Sequence, residues 1–390
     1  MSARQEGPRR TRPETTEPLV IVCAGGGGVG KTTTSAALGV ALAASGLSTL
    51  VVTIDPARRL ASAMGVVIGD EVTPVAWEGT HGRLHALMPD PRRSLRTFVD
   101  TIFEGEPEAK AHLLQNRMYI GLSDAAAGVH ELVAMTLVAN AAAGGQFDVV
   151  VIDTAPSRHA IDFVTYPQRL AALLGGRTIA WLSGIADRAQ GQAQRNAQGS
   201  AQARERGGGM LAWGAGRVDA LLARVTGPNL VGDAASLFGD LAKGRGRFVA
   251  LAEHAAALLL GDRTSYVLVA APSAAARDDV FYLHARLSKL GRVPRALVLN
   301  RADVKVPSYA STLRDAAGTP PSVLETVEQL ELERVARSRA ADAVAADCAR
   351  SLPGLPLVRL PFIEAIRPAD VVVSLAHELG PHLGSLLPRT

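Results

Sequence analysis

The run Gly25–Thr32, Gly-Gly-Gly-Gly-Val-Gly-Lys-Thr, satisfies the spacing G-x-x-x-x-G-K-[ST]. Each residue type in it has a chemical use. Glycines let a backbone wrap an anion with its N–H groups turned inward. Lys31 can reach the β- and γ-phosphates of a nucleoside triphosphate, and the Thr32 hydroxyl can ligate magnesium. The predicted cradle is Gly27, Gly28, Val29, Gly30, Lys31, Thr32 and Thr33. Lysine otherwise occurs only at Lys110, Lys243, Lys289 and Lys305, in a chain that prefers arginine, so a lysine inside a glycine run is not incidental. The pattern points to ATP with Mg2+.

Two carboxylates have spacing suited to the same chemistry. Asp55, in Thr-Ile-Asp-Pro-Ala, follows an apolar segment. There it can orient and deprotonate an attacking water, or hold a metal-bound water. Asp153 ends the run Val149-Val150-Val151-Ile152, where an unpaired charge would be costly unless it faces a metal shell. We therefore expect Asp55 and Lys31 to be catalytic and Thr32, Asp55 and Asp153 to hold the metal. Asn300 ends Arg-Ala-Leu-Val-Leu-Asn, and its amide offers the donor and acceptor that an adenine edge needs. A turn or cap asparagine is the alternative.

These residues need a scaffold that brings them to one edge. Residues 18–24 are a continuous apolar run, as in a parallel strand buried on both faces, and 48–54 and 147–152 read as the next strands, the latter buried. A helix is predicted from about Val29 to Ala44, ended by Gly46, which completes a βαβ unit. Further strands are predicted at 265–271, 295–300 and 356–360. The expected fold is α/β: a mostly parallel twisted sheet flanked by helices, with an inserted helical subdomain. The core is expected at 18–83, 146–164 and 262–380, and the helical subdomain at 84–145 and 165–261. Residues 1–17 and the Ala/Gln/Arg/Gly-rich stretch 186–209 read as flexible.

Composition excludes several classes. The 390 residues carry a formal charge of +4, with both signs dispersed and no basic block, so specific nucleic-acid binding is not expected. Cys23 and Cys348 are too far apart to suggest a disulfide framework or a cysteine-based zinc site, and a cytoplasmic location fits. No apolar run reaches the length of a membrane span, and residues 1–17 lack the apolar core of a secretory signal.

Taken together, the segments GGVGKTTTSAALGVALA, TIDPARRLASAMG, GVHELVAM, DTAPSRHAIDF, LVLNR and LPFIEAIRPADV resemble the ArsA/guided-entry ATPase family of the deviant Walker A P-loop class, in order, over about residues 18–375. The resemblance implies a nucleotide-dependent homodimer with ATP at its interface. It also implies a catalytic Asp55, a metal-holding Asp153, an adenine-reading Asn300, and Pro361 and Phe362 packed on the adenine. Gly128 and Glu131 would link the site to the helical subdomain. The implied role is an ATP-hydrolysing switch acting on a membrane-protein client or membrane partner. A ParA/MinD-type spatial organiser is the alternative.

Three departures stand out. The family's signature lysine, second in the loop, is Gly26 here, which would slow hydrolysis or shift the crossing charge to Arg58, Arg59 or Arg158. There is no Cys-x-x-Cys to pin a dimer with zinc, so no zinc is expected. No cysteine trio exists for arsenite.

Overall fold

β1 (Leu19–Ala24) is six residues of Leu, Val, Ile, Cys and Ala, five of them buried. Such a strand must be covered on both faces and paired on both edges. Its neighbours are β5 (Val149–Asp153) and β6 (Thr264–Ala270), both parallel to it. The full sheet runs β3-β4-β2-β5-β1-β6-β7-β8, with β2 at Thr49–Thr53, β3 at Thr73–Pro74, β4 at Leu84–Leu87, β7 at Ala296–Leu299 and β8 at Leu357–Arg359. Every pairing is parallel except β3 on β4, where a two-residue strand ending in proline closes the edge. This is the α/β P-loop architecture that the sequence implies. The structure is a computed structural model that describes residues 17–54, 59–117, 119–120, 136, 140, 145–155, 230–303, 308–316, 318 and 320–388.

Register decides what meets at the sheet's carboxyl edge. Cys23 and Thr53 both pair with Asp153, so the ends of β1, β2 and β5 lie level. α1 (Lys31–Ala44) leaves the loop after β1, with Gly30 before it at φ 90. It starts at Lys31 rather than Val29 because that left-handed residue cannot belong to the helix. Most of α1 is buried, which its run of alanines permits. Gly39 lets it approach β2: a Cβ there would stand 2.3 Å from Val51 Cγ2.

One expectation fails at residues 84–87, which read as the start of a helical region. They form β4 instead, parallel to β2. Leu-His-Ala-Leu has weak strand propensity, but pairing with β2 overrides it.

The chain divides into two compact units. One comprises Met1–Pro89, Leu137–Ile161 and Leu258–Thr390, and holds the sheet with α1, α2 (Arg59–Met64), α7 (Ala274–Lys289), α8 (Tyr309–Asp315), α9 (Pro321–Ser351), α10 (Pro368–Leu379) and α11 (Leu383–Leu386). The other comprises Asp90–Thr136 and Asp162–Ala257. Its described elements are helical: α3 (Pro91–Ile102), α4 (Pro107–Gln115), α5 (Leu230–Lys243) and most of α6 (Arg245–Leu260). Asp90 caps α3 by accepting from Arg93 N–H, and Phe98 meets Phe248 edge-to-face at 5.9 Å. The stretch 186–209 lies outside the described residues.

The close approach of α1 to β2 can be tested. Gly39→Ala should cost about 1–3 kcal/mol despite alanine's better helix propensity, because Val51 is stiff and fully buried. Urea unfolding checks this, and adding Val51→Ala should recover part of the loss. Unchanged stability of Gly39→Ala would show that the helix can move away.

Candidate nucleotide-phosphate site

Asp153 has no solvent exposure, yet it is a carboxylate at the end of an apolar strand. It accepts three hydroxyls. Thr32 Oγ1 donates to Oδ2 at 2.7 Å, Thr53 Oγ1 to the same oxygen at 3.0 Å, and Ser35 Oγ to Oδ1 at 3.4 Å. Thr32 and Ser35 come from the first turns of α1, and Thr53 from the end of β2. The structure thus joins two residues predicted from sequence positions 121 apart. Thr53 and Ser35 were not singled out, because hydroxyl residues near a strand or helix end are common and only register shows which one meets the carboxylate.

Lys31 is also nearly buried, and its Nζ donates to the Gly26 carbonyl at 2.7 Å. The ammonium is folded back over the loop it belongs to. Thr154 secures the strand after Asp153 by donating its hydroxyl to the Cys23 carbonyl at 2.8 Å. The Cys23 thiol beneath the loop is pushed up to about 12, mainly by burial, with the Ser35 hydrogen bond opposing and Asp153 reinforcing the shift. It is therefore a packing residue and not a nucleophile.

A cleft of about 610 Å³ opens in front of this set, within the usual size for a small-molecule site. Gly28, Gly30, Lys31, Thr32 and Thr33 line it, with Arg59, Thr154 and Pro368. Backbone N–H groups at a helix start, an ammonium, a hydroxyl and a buried carboxylate form a donor set that suits a magnesium-bound polyphosphate. The residues present therefore fit both groups.

Two neighbours brace the loop. Asn300 is buried, and its Nδ2 donates to the Val29 carbonyl at 2.9 Å. Any Cβ at position 30 would stand 2.1 Å from that nitrogen, so Gly30 is required both by its φ and by its contact. Part of the amide assigned to an adenine edge is thus already committed to the loop. At the other end, Asp279 of α7 stands against Gly26: a Cβ there would lie 2.1 Å from its Oδ2. Position 26, where the resemblance calls for lysine, instead faces a carboxylate. Pro361 and Phe362 follow β8; the Phe362 N–H donates to Asp303 Oδ1 at 3.0 Å. Asp55, Arg58, Gly128, Glu131 and Arg158 lie outside the described residues.

Residues 19–192 match the anion-transporting ATPase family, from β1 through the Asp153 strand. The matched relatives include ATPase GET3 of Malassezia globosa, 34% identical over 154 residues, which is 40% of this chain and 44% of that protein. ATPase GET3 of Rhodotorula glutinis is 33% identical over 168 residues, 43% of this chain and 45% of that protein. The chain thus spans less than half the length of these curated relatives. The match to the anion-transporting ATPase family takes in the loop, Asp55 and Asp153, and ends before Asn300, Pro361 and Phe362.

The Gly26–Asp279 contact has a measurable consequence. Gly26→Val should lower stability by about 1 kcal/mol, and Asp279→Ala should remove most of that penalty. A double-mutant cycle by urea unfolding reads the coupling, and strictly additive values would rule the contact out.

Proposed function

We propose that this chain is a magnesium-dependent ATPase that works as a nucleotide-gated dimeric switch of the ArsA/guided-entry type. The observation that carries the reading is the Thr32–Asp153 hydrogen bond, which ties the loop hydroxyl to a buried carboxylate level with it. In the proposed site the backbone of residues 27–33 receives the phosphates, and Lys31 leaves the Gly26 carbonyl to meet them. Thr32 turns a lone pair outward to hold the metal, while Asp153 keeps that hydroxyl oriented and Thr53 keeps Asp153 oriented. Bound magnesium would offset the charge on the β- and γ-phosphate oxygens. Asp55, two residues beyond Thr53, takes either the proton of the attacking water or a metal-bound water.

Arg59 lines the cleft and supplies a fixed positive charge there, where position 26 offers none. A guanidinium suits bidentate contact with phosphate oxygens. We assign the helical unit the task of passing nucleotide state to a membrane-protein client or membrane partner, from a cytoplasmic location. Among the described residues no helix is long and apolar enough to cross a membrane.

Phosphate release measured against protein concentration tests the reading. Wild-type turnover should need Mg2+ and rise more steeply than linearly if two copies share the nucleotide. Lys31→Ala should abolish tight ATP binding. Asp55→Asn should keep binding and lose about 10²–10⁴-fold in rate. Wild-type turnover by Asp55→Asn would sink the catalytic assignment. A rate strictly proportional to concentration, with no change of oligomeric state on ATP binding, would sink the dimer.

A further inference from the structure

Beyond the phosphate cleft, the ends of β7 and β8 carry a polar cluster built on Asp303 and Arg337. Asn300 braces the loop at Val29, and the chain then turns at Arg301 with φ 55. Ala302 N–H donates to the Leu360 carbonyl and Leu360 N–H to the Leu299 carbonyl, so the two strand ends advance side by side. Asp303 is only 3% exposed and accepts from two neighbours. Phe362 N–H donates to Oδ1 at 3.0 Å, and Arg337 Nε, from α9, donates to Oδ2 at 2.9 Å. The same guanidinium lies over the Phe362 ring, 4.9 Å from its centre. Phe362 is 37% exposed, so part of its ring remains available to a ligand.

We propose that Asp303 and Arg337 are the positioning pair that makes the base end of this site prefer adenine to guanine. The inference rests on the ATP reading above. Ligands of open parallel sheets sit at the carboxyl ends of the strands, and Asn300, Asp303 and Phe362 all occupy that edge beside the loop. A base joined to phosphates in the loop meets this edge next. An exposed ring there gives a stacking surface that any purine can use. The choice between purines falls to the polar groups. Guanine offers two adjacent donors, N1–H and N2–H2, which a free carboxylate would accept; adenine offers a donor beside an acceptor, which an amide matches. Asn300 retains its carbonyl oxygen and its second amide hydrogen for such an edge, since one hydrogen serves Val29. Asp303 is withheld from guanine because it is buried, with Arg337 and the Phe362 N–H each holding one of its oxygens. Arg337 therefore fixes the stacking ring and occupies the carboxylate that would read the wrong base.

The test is a set of dissociation constants for ATP, GTP and tripolyphosphate with the full chain. Arg337→Ala should weaken ATP about tenfold, the loss of one cation–π contact and one charge-assisted hydrogen bond. Tripolyphosphate affinity should not change, and the preference for ATP over GTP should shrink by a further factor. Arg337→Met keeps the stem's packing and removes the donor to Asp303, so its effect should appear chiefly in the ATP-to-GTP ratio. Arg339→Ala, an exposed arginine on the same helix, should change none of the three. If ATP and tripolyphosphate weaken in parallel, or the ATP-to-GTP ratio stays at the wild-type value in both Arg337 variants, the pair has no such role. A wild-type chain that binds tripolyphosphate and not ATP would instead overturn the ATP reading itself.

Discussion

A carboxylate with no access to water, at the end of a hydrophobic strand, has to be satisfied by its surroundings. Asp153 is that residue, and much of the sheet's carboxyl edge follows from meeting its demand. Its two oxygens collect hydroxyls from two elements, the loop-helix junction at Thr32 and Ser35 and the strand end at Thr53. Those contacts exist because β1, β5 and β2 are level at Cys23, Asp153 and Thr53. A one-residue slip in either pairing would turn the side chains to the opposite face and leave a buried charge unmatched. The same arrangement that makes the carboxylate tolerable also orients the Thr32 hydroxyl, so stability and site geometry are one constraint here.

The loop is held at both ends by residues distant in sequence. Asn300 binds the Val29 carbonyl and leaves room only for glycine at position 30. Asp279 stands at Gly26, where any side chain would displace it. Lys31 closes the loop from inside by bonding the Gly26 carbonyl. A glycine-rich segment loses much conformational entropy on ordering, so these tethers lower what remains to be ordered when an anion arrives. They also give the missing lysine at position 26 a physical setting: the corner that would carry a positive charge here faces the Asp279 carboxylate.

The glycine-rich loop between strand and helix was legible in the sequence because its requirements are local. A strand, five glycines, a lysine and a threonine at fixed spacing have few other uses. The central strands were legible for the same reason, since valine- and isoleucine-rich runs buried on both faces have little alternative. β4 was not, because Leu84–Leu87 has no strand preference of its own and owes its conformation to its neighbour. The roles of Thr53, Ser35, Asp279, Asp303 and Arg337 were invisible for a related reason: each is an ordinary polar residue until something far along the chain is placed against it.

The sequence by itself determined the fold class, the glycine-rich loop and the strand that ends in Asp153, because each follows from short-range spacing and hydrophobic pattern. Only the tertiary structure decided which hydroxyls satisfy that carboxylate, that Asn300 spends part of its amide on the loop, and that Asp303 accepts from Arg337 and Phe362. The reason is physical. Hydrogen bonds at a buried edge depend on strand register and on the direction of each side chain, and neither is encoded in the local run of residues that supplies the donor.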